Sequence, residues 1–136
     1  MLVAIAVISP VFSQSESDFR VSVDLSGTGL IINEYLREPS SEDETAKIVV
    51  IPATIQGYPV REIGEKAFFG KVITSITIPE GVTAIGKVAF FGCFYLASLT
   101  LPSSLRYIGE EAFMYCHNIP LATQVQLRKL GYEGRF

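Results

Sequence analysis

The sequence predicts a solenoid in which stacked repeats of about 22–23 residues each contribute one parallel β-strand. The prediction depends on two dipeptides, Ile-Gly and Ala-Phe, that recur in step along the middle of the chain. The copies are Ile63-Gly64, Ile85-Gly86 and Ile108-Gly109, and Ala67-Phe68, Ala89-Phe90 and Ala112-Phe113. In both series the second interval is one residue longer than the first, so the two dipeptides keep the same register. A unit of this length leaves its apolar face open, so neighbouring units must cover it.

The strand of each repeat is predicted in the segments 73–79 and 96–102, which share the pattern L-x-x-L-x-L-P with Ile accepted for Leu. Strand alternation turns Ile76 and Ile78 inward and their neighbours outward. The proline ends each strand because it cannot donate to a β-ladder. The glycine after each isoleucine indicates either a positive φ or a close backbone approach. The Ala-Phe phenylalanines are expected to stack as an aromatic ladder.

The full pattern, L-x-x-L-x-L-P-x-x-L-x-x-I-G-x-x-A-F-x-x-C, resembles the BspA-type (treponemal-type) leucine-rich repeat family of bacterial surface and secreted proteins. Residues 51–64 are similar to the family's first repeat, with five more residues between Pro52 and Ile63 than later repeats have. The resemblance implies a leucine-rich repeat solenoid, α/β or mainly β, in a secreted, periplasmic or cell-surface protein. It also implies bacterial adhesion or host interaction, with partners such as fibronectin or fibrinogen.

The N-terminal flank divides into three parts. Residues 1–13 are uncharged, too short for a membrane span, and predicted to be a signal peptide, with a buried first strand as the alternative. Residues 19–36 alternate around a turn at Ser26–Gly29, which predicts a β-hairpin that caps the first coil. The acidic segment 37–45 lacks the central glycine of a calcium loop and is predicted to be a solvated loop.

A single leucine-rich repeat domain is predicted over residues 14–136, with repeats at 47–118 and a capping helix at 119–130. Asn118 is the expected N-cap of this helix, and Pro120 fits its first turn. Gly131 is the expected stop. The apolar stripe of the helix is predicted to be Leu121, Val125, Leu127 and Leu130.

Composition and motifs argue against most kinds of catalytic, metal-binding and nucleic-acid-binding site. The formal net charge of −3, with no basic stripe, argues against nucleic-acid binding. Cys93 and Cys116 lie one repeat apart, where buried free thiols are favoured and a disulfide is the alternative. His117 is the single histidine, and Cys93 lacks the polar setting that a reactive thiolate needs. We therefore expect no enzyme, no cofactor, no metal site and no integral membrane span.

The outward strand positions form the predicted site. The protein-binding residues are Ile48, Val50, Ser75, Thr77, Ser98 and Thr100, on a flat face of short hydroxyl and aliphatic side chains. Ser and Thr equally suit an exposed strand without a ligand. Ile48 and Val50 are expected either to lie under the hairpin or to form an exposed apolar patch. Phe69 and Phe91, on another wall of the coil, are likewise expected either to be covered or to form an exposed apolar patch. We expect a monomer that binds a protein, with a structural or self-assembling surface protein as the alternative.

Overall fold

The computed structural model of the protein describes residues 15–38 and 44–136. These residues form a short solenoid with a helix at its C-terminal end. Its elements are β1 (Phe19–Val23), β2 (Leu30–Tyr35), β3 (Ile48–Val50), β4 (Thr54–Ile55), β5 (Tyr58–Ile63), β6 (Ser75–Thr77), β7 (Ala84–Ile85), β8 (Ser98–Thr100), β9 (Tyr107–Ile108) and α1 (Leu121–Lys129). Short 3₁₀ turns at Glu16–Asp18 and Glu44–Lys47 lead into β1 and β3.

The strands make two sheets. The front sheet has the order β3-β6-β8, and the back sheet has the order β1-β2-β5-β7-β9, with β4 paired to β5. Ile76 pairs with Leu99 in the front sheet, and Ile85 pairs with Ile108 in the back sheet, so both pairs join positions one repeat apart in the sequence. The predicted period is therefore one turn of the coil. Each repeat also contributes a second short strand, because its Ile-Gly segment is extended and pairs with the next coil.

A ladder of buried aromatic rings runs through the core. The rings of Phe68 and Phe90 stack with centroids 5.0 Å apart, and those of Phe90 and Phe113 with centroids 5.2 Å apart, which confirms the predicted ladder. Tyr35 stacks on Phe68 at one end, and Tyr132 meets Phe113 edge to face at the other. Residues from both flanks thus cover the end rings, whose faces would otherwise meet water.

The predicted hairpin is present, and β1 pairs antiparallel with β2. Its turn is held by Asp24, whose carboxylate accepts a hydrogen bond from the Ser26 hydroxyl at 2.6 Å. β2 continues the back sheet by pairing in parallel with β5. The hairpin therefore lies at the start of the back sheet and does not pair with the front sheet.

The glycine after each isoleucine allows neighbouring coils to approach closely. A Cβ added to Gly86 would lie 2.7 Å from the backbone nitrogen of Glu65, and the φ of Gly86 is not positive. Of the two predicted reasons for this glycine, the structure selects the close approach. The left-handed position comes two residues later in each coil, at Lys66, Val88 and Glu111, with φ of 61°, 50° and 55°.

The five extra residues of the first repeat form a hairpin of their own. β4 and β5 pair antiparallel across Gln56 and Gly57, whose φ values of 50° and 82° suit a type I′ turn. The sequence prediction treated this segment only as a lengthened repeat. Gly57 was the available signal, since it supplies one of the two positive φ values.

The C-terminal helix is shorter than the predicted range of 119–130, and its predicted N-cap is wrong. The helix begins after Pro120, and no side chain caps it. Asn118 instead donates from Nδ2 to the carbonyl oxygen of Phe94 at 2.8 Å. Phe94 belongs to the preceding coil, so the asparagine joins two coils and does not cap the helix. Gly131 ends the helix as predicted, with φ +91° and its N–H bonded to Arg128 O.

The predicted apolar stripe of the helix is only partly buried. Leu127 is fully buried and Leu130 is partly buried against the core. Leu121 and Val125 are exposed, so their assignment to the stripe is wrong. One short helix packs through few positions, and the chain after it supplies the rest of the cover.

Tyr132 provides that cover. Its hydroxyl accepts a hydrogen bond from Phe113 N at 3.2 Å and donates one to Arg135 O at 2.9 Å. In earlier coils the same position donates to the next coil, as Phe90 N does to Ala112 O. The tyrosine hydroxyl thus takes the place of a carbonyl that would come from a following coil. Burial raises the pKa of the Tyr132 hydroxyl, so it remains protonated at neutral pH.

Glu80 links the corners of two coils. Its carboxylate accepts hydrogen bonds from Ser103 N at 2.7 Å, Ser103 Oγ at 3.0 Å and Ser104 N at 3.3 Å. These bonds, led by the one from the Ser103 N–H, hold the pKa of Glu80 below its ordinary value of 4.5. A carboxyl group whose pKa is lower in the folded state makes its full contribution to the stability of the fold at pH values above its unfolded pKa. This contribution is lost as the pH falls through the folded pKa.

We therefore expect the melting temperature to fall as the pH drops below 4.5, and to fall less in the Glu80→Gln variant. Thermal melts followed by circular dichroism between about pH 7 and pH 3 measure this difference. Glu133→Gln is the matched control, because Glu133 is exposed and bridges no two coils. An identical pH dependence in the Glu80 variant and the wild type would contradict the assigned role.

Two predictions lie outside the described residues. The predicted signal peptide at residues 1–13 is one, and most of the acidic segment, residues 39–43, is the other. Within the described ranges, no helix has the length and apolar character needed to span a membrane.

Candidate protein-binding face

All six predicted binding residues lie on one face of the front sheet. The strand pairing aligns them in two rows, Ile48-Ser75-Ser98 and Val50-Thr77-Thr100. The residue between the rows in each strand is buried. This alternation follows from the pleat, which sends successive side chains to opposite faces. We call these six residues the front face.

The front face is uncharged and accessible. Ile48 and Val50 are 39% and 40% exposed, and Ser98 and Thr100 are also exposed. Ser75 and Thr77 are half-buried because β6 lies between the other two strands. None of the six residues is ionisable, although the chain has 11 basic and 14 acidic residues. The face can therefore offer hydroxyl and aliphatic contacts but no ion pair of its own.

The hairpin does not cover Ile48 and Val50. β2 pairs with β5 in the back sheet, whereas β3 belongs to the front sheet. Of the two expectations for this pair of residues, the structure supports the exposed apolar patch. The sequence left the choice open because alternation predicts a hairpin without identifying the strand that it joins.

The sequence prediction missed Val72 and Tyr95. Each comes directly before the first apolar residue of a strand segment, and the two lie one repeat apart. Val72 is 40% exposed and Tyr95 57% exposed. The signal was their shared repeat position, at which the second repeat carries a large aromatic side chain. Each lies three residues before the first residue of a front-sheet strand, β6 or β8.

A second exposed group consists of Phe69, Phe91, Phe94, Tyr115 and His117, which we call the aromatic row. Phe69 and Phe91 stack at 5.0 Å with an interplanar angle of 1°, and Phe91 meets Tyr115 edge to face at 5.1 Å. The His117 ring lies 6.0 Å from Tyr115 and 6.2 Å from Phe94. Phe69 is about half-exposed and Phe91 is half-buried, so the second wall is also an apolar surface.

Cys93 and Cys116 are buried free thiols, the alternative that the sequence favoured. Each donates to a carbonyl of the preceding coil, Cys93 to Phe68 O and Cys116 to Phe90 O, both at 3.1 Å. The neighbouring Cys116 side chain, followed by burial, raises the pKa of the Cys93 thiol. The thiol therefore stays protonated and weakly nucleophilic. His117 lies in the aromatic row.

Asp24 and Glu62 are two carboxyl groups whose pKa values move in opposite directions. The Ser26 hydroxyl and the turn amides lower the pKa of Asp24, whereas burial and the charge of Asp24 raise the pKa of Glu62. Such divergence is typical of acid–base pairs. Here, however, the carboxylate of Asp24 is already bonded to its own turn, through Ser26 and Thr28. Across residues 15–38 and 44–136, no three His, Cys, Asp or Glu residues converge as metal ligands.

The repeat pattern and the fold are shared with known proteins. The sequence profile of the BspA type leucine rich repeat region matches residues 48–132 in six copies. The fold is similar to that of a leucine-rich repeat protein of T. pallidum, at 21% identity and a TM-score of 0.62, over 91% of this chain and 98% of that one. A leucine-rich repeat protein of Bacteroides capillosus ATCC 29799 matches at 31% identity and a TM-score of 0.66, over 78% of this chain and 76% of that one.

A leucine rich cell surface protein of Faecalibacterium prausnitzii A2-165 matches at 28% identity and a TM-score of 0.66. That match covers 79% of this chain and 29% of the larger protein. None of the curated protein sequences compared with the chain matches it. The coiled pairing and these neighbours define a leucine-rich repeat solenoid. Because the profile covers well over half of the chain, the chain belongs to the BspA-type leucine-rich repeat family, as the motif indicated.

Proposed function

We propose that this protein is a secreted or cell-surface module that binds another protein through the front face and performs no catalysis. The observation that carries the proposal is the alignment of six uncharged side chains in two rows on an accessible sheet. Leucine-rich repeats and other solenoids use such extended surfaces to hold partners. The buried thiols and the turn-bonded Asp24 supply no nucleophile or acid–base pair for a reaction.

The physical character of the face suits the core of a protein interface. Interface cores are depleted of charged residues and rich in aromatic anchors. Ile48 and Val50 provide aliphatic contact, and the exposed Tyr95, three residues before β8 in the chain, provides a large ring with a polar end. The serine and threonine hydroxyls can each donate and accept one further hydrogen bond from a partner. Binding energy is expected to concentrate at the apolar residues.

The partner proposed from the family resemblance is a host extracellular-matrix or plasma protein, such as fibronectin or fibrinogen. Membership of a family of bacterial repeat proteins, and a structural neighbour named as a cell surface protein, support a surface location. The uncharged residues 1–13 would then act as a signal peptide. Adhesion between a bacterium and its host is the role that this location and binding face favour.

Self-assembly is the second candidate, and the aromatic row favours it. Its rings form an exposed apolar surface, and such surfaces commonly mark contacts between proteins. End-to-end stacking is less favoured, because Tyr35 and Tyr132 cover the terminal rings of the ladder and so act as caps. Sideways pairing of two molecules through Phe69 and Phe91 would leave these caps in place. It predicts a molecular mass that rises with concentration.

The test is retention of matrix and plasma proteins by the immobilised full chain. We expect the variant Ser75→Lys, Thr77→Lys, Ser98→Lys, Thr100→Lys to lose at least about tenfold in affinity, because binding would bury four lysine charges in the interface without partners. The matched control places four lysines at exposed polar positions elsewhere, Ser22, Thr54, Thr83 and Gln126, and should bind normally. Equal retention by both variants would exclude the front face. Light scattering on the same proteins free in solution tests self-assembly.

A further inference from the structure

The coils are joined by backbone hydrogen bonds that repeat from one coil to the next. Gly86 N donates to Ile63 O, and Gly109 N donates to Ile85 O, both at 2.7 Å. The equivalent acceptor in the last coil is Ile108 O. No residue in the described part of the chain donates to it. The last coil therefore presents the same acceptor without a following coil.

The turn that follows shows the same gap with donor and acceptor exchanged. Val88 N donates to Glu110 O at 3.0 Å, so the equivalent donor in the last coil is Glu111 N. Among the residues that are described, none accepts from Glu111 N. The C-terminal segment replaces a following coil at Phe113, through the Tyr132 hydroxyl, but not at Ile108 and Glu111.

A hollow of about 600 Å³ lies at this position. Ile108, Gly109, Glu110, Glu111 and Met114 line it from the last coil, and residues 131–135 line it from the C-terminal segment. Ile108 remains partly exposed there, whereas its equivalent Ile85 is fully buried. The hollow thus combines an unused acceptor, an unused donor and uncovered apolar surface beside β9.

The charges along this edge alternate. The residue after each Ile-Gly pair is Glu65, then Lys87, then Glu110. Lys87 Nζ lies 2.9 Å from Glu110 Oε2. The hydrogen bond to Glu110 and its charge raise the pKa of Lys87, and the charges of Glu111 and Glu65 add smaller contributions. This column of charged residues ends with the carboxylate of Glu110, at the open edge of the back sheet. Glu111 and Glu133 add two more carboxylates to the lining of the hollow, against a single base, Arg135.

We propose that this hollow binds an extended, basic segment of a partner polypeptide, which adds to β9 as a further parallel strand. The segment donates an N–H to Ile108 O and offers a carbonyl to Glu111 N, as in β-strand addition. It carries glycine opposite Gly109, because coils at this spacing leave no room for a Cβ, as Gly86 shows. Lysine or arginine follows the glycine and pairs with Glu110.

A second copy of this chain fits the edge less well. The strand at the other end of the back sheet is β1, and its pairing with β2 shifts register between Arg20 and Val21, where Asn33 of β2 has no partner in β1. Bulges blunt sheet edges and disfavour pairing with another chain. The hollow lies at the C-terminal end of the back sheet, so the inference does not depend on the front face.

The probe is a fluorescein-labelled peptide with the sequence of residues 83–89, Thr-Ala-Ile-Gly-Lys-Val-Ala, which carries the required Gly-Lys pair. Fluorescence anisotropy with the full chain measures its affinity. We expect binding that Gly86→Val or Lys87→Glu in the peptide weakens at least about tenfold. Glu110→Lys in the protein should weaken binding to a similar degree, because it reverses the charge at the open edge. Glu65→Lys is the matched control, since Glu65 is exposed in the same column but lies away from the hollow.

Three results would overturn the proposal. The first is no binding at about 1 mM peptide, and the second is an equal loss in the Glu110 and Glu65 variants. The third is growth in size of the chain alone that Glu110→Lys abolishes, which would assign the edge to a second copy. The front-face lysine variant should bind the peptide normally, so failure of this inference and failure of the proposed function are distinguishable.

Discussion

Replacing Phe90 by alanine is expected to lower the free energy of unfolding by about 4 kcal/mol. Phe90 is the central ring of the ladder, fully buried between Phe68 and Phe113. Its removal loses the burial of the ring and leaves a cavity that the stacked coils on both sides cannot close. Because a whole domain is stable by only about 5–15 kcal/mol, this change should remove much of the stability of the solenoid.

Urea unfolding followed by circular dichroism measures this loss, and Phe91→Ala is its matched control. Phe91 is the next residue in the chain and also stacks on another ring, but it is only half-buried in the aromatic row. We expect the control to cost about 1 kcal/mol, the range of an exposed aromatic pair. Similar losses from the two variants would mean that the ladder does not hold the coils together.

Replacing Gly86 by alanine is expected to cost about 3 kcal/mol, the upper end of the usual range for overpacking. The added methyl group would lie 2.7 Å from Glu65 N and 2.8 Å from Gly64 C. Both are backbone atoms of the preceding coil, so no side chain can rotate away to make room. The coils would have to separate, which would lengthen the hydrogen bond from Gly86 N to Ile63 O.

The same urea titration measures this effect as a fall in the unfolding midpoint, with Lys87→Ala as the control. Lys87 is exposed, and its ion pair with Glu110 is exposed and screened by solvent as well, so its loss should leave the unfolding midpoint almost unchanged. A Gly86→Ala variant as stable as the Lys87 control would show that the coils can separate freely. The glycine would then need another explanation.

Much of the front face could be predicted from the sequence because it depends on alternation alone. Ser75 and Thr77 point outward since Ile76 and Ile78 point inward, and the repeat period places Ser98 and Thr100 beside them. The exposed residues Tyr95 and Val72 were not predicted as part of the site, because they precede the alternating strand residues. Whether any of these residues contacts a protein stays a prediction.

Contacts between coils were less predictable. The Ile-Gly pattern indicated that the glycine was needed either for a positive φ or for a close backbone approach. Only the distance from Gly86 to the preceding coil selected the close approach. Asn118 has the sequence features of an N-cap, yet it bonds to Phe94 O of the coil before it. In each case a local preference competes with a partner that is distant in sequence.

The sequence by itself determined the repeat length, the inward and outward faces of the strands, the aromatic ladder and the family. These follow from periodicity, which is written into neighbouring residues and needs no knowledge of distant contacts. Only the tertiary structure decided that the hairpin joins the back sheet, that the Tyr132 hydroxyl bonds Phe113 N, and that Ile108 and Glu111 remain unpaired within the described chain. Those outcomes depend on which backbone groups meet between coils, and hydrogen-bonding groups that every residue carries leave no mark in the sequence.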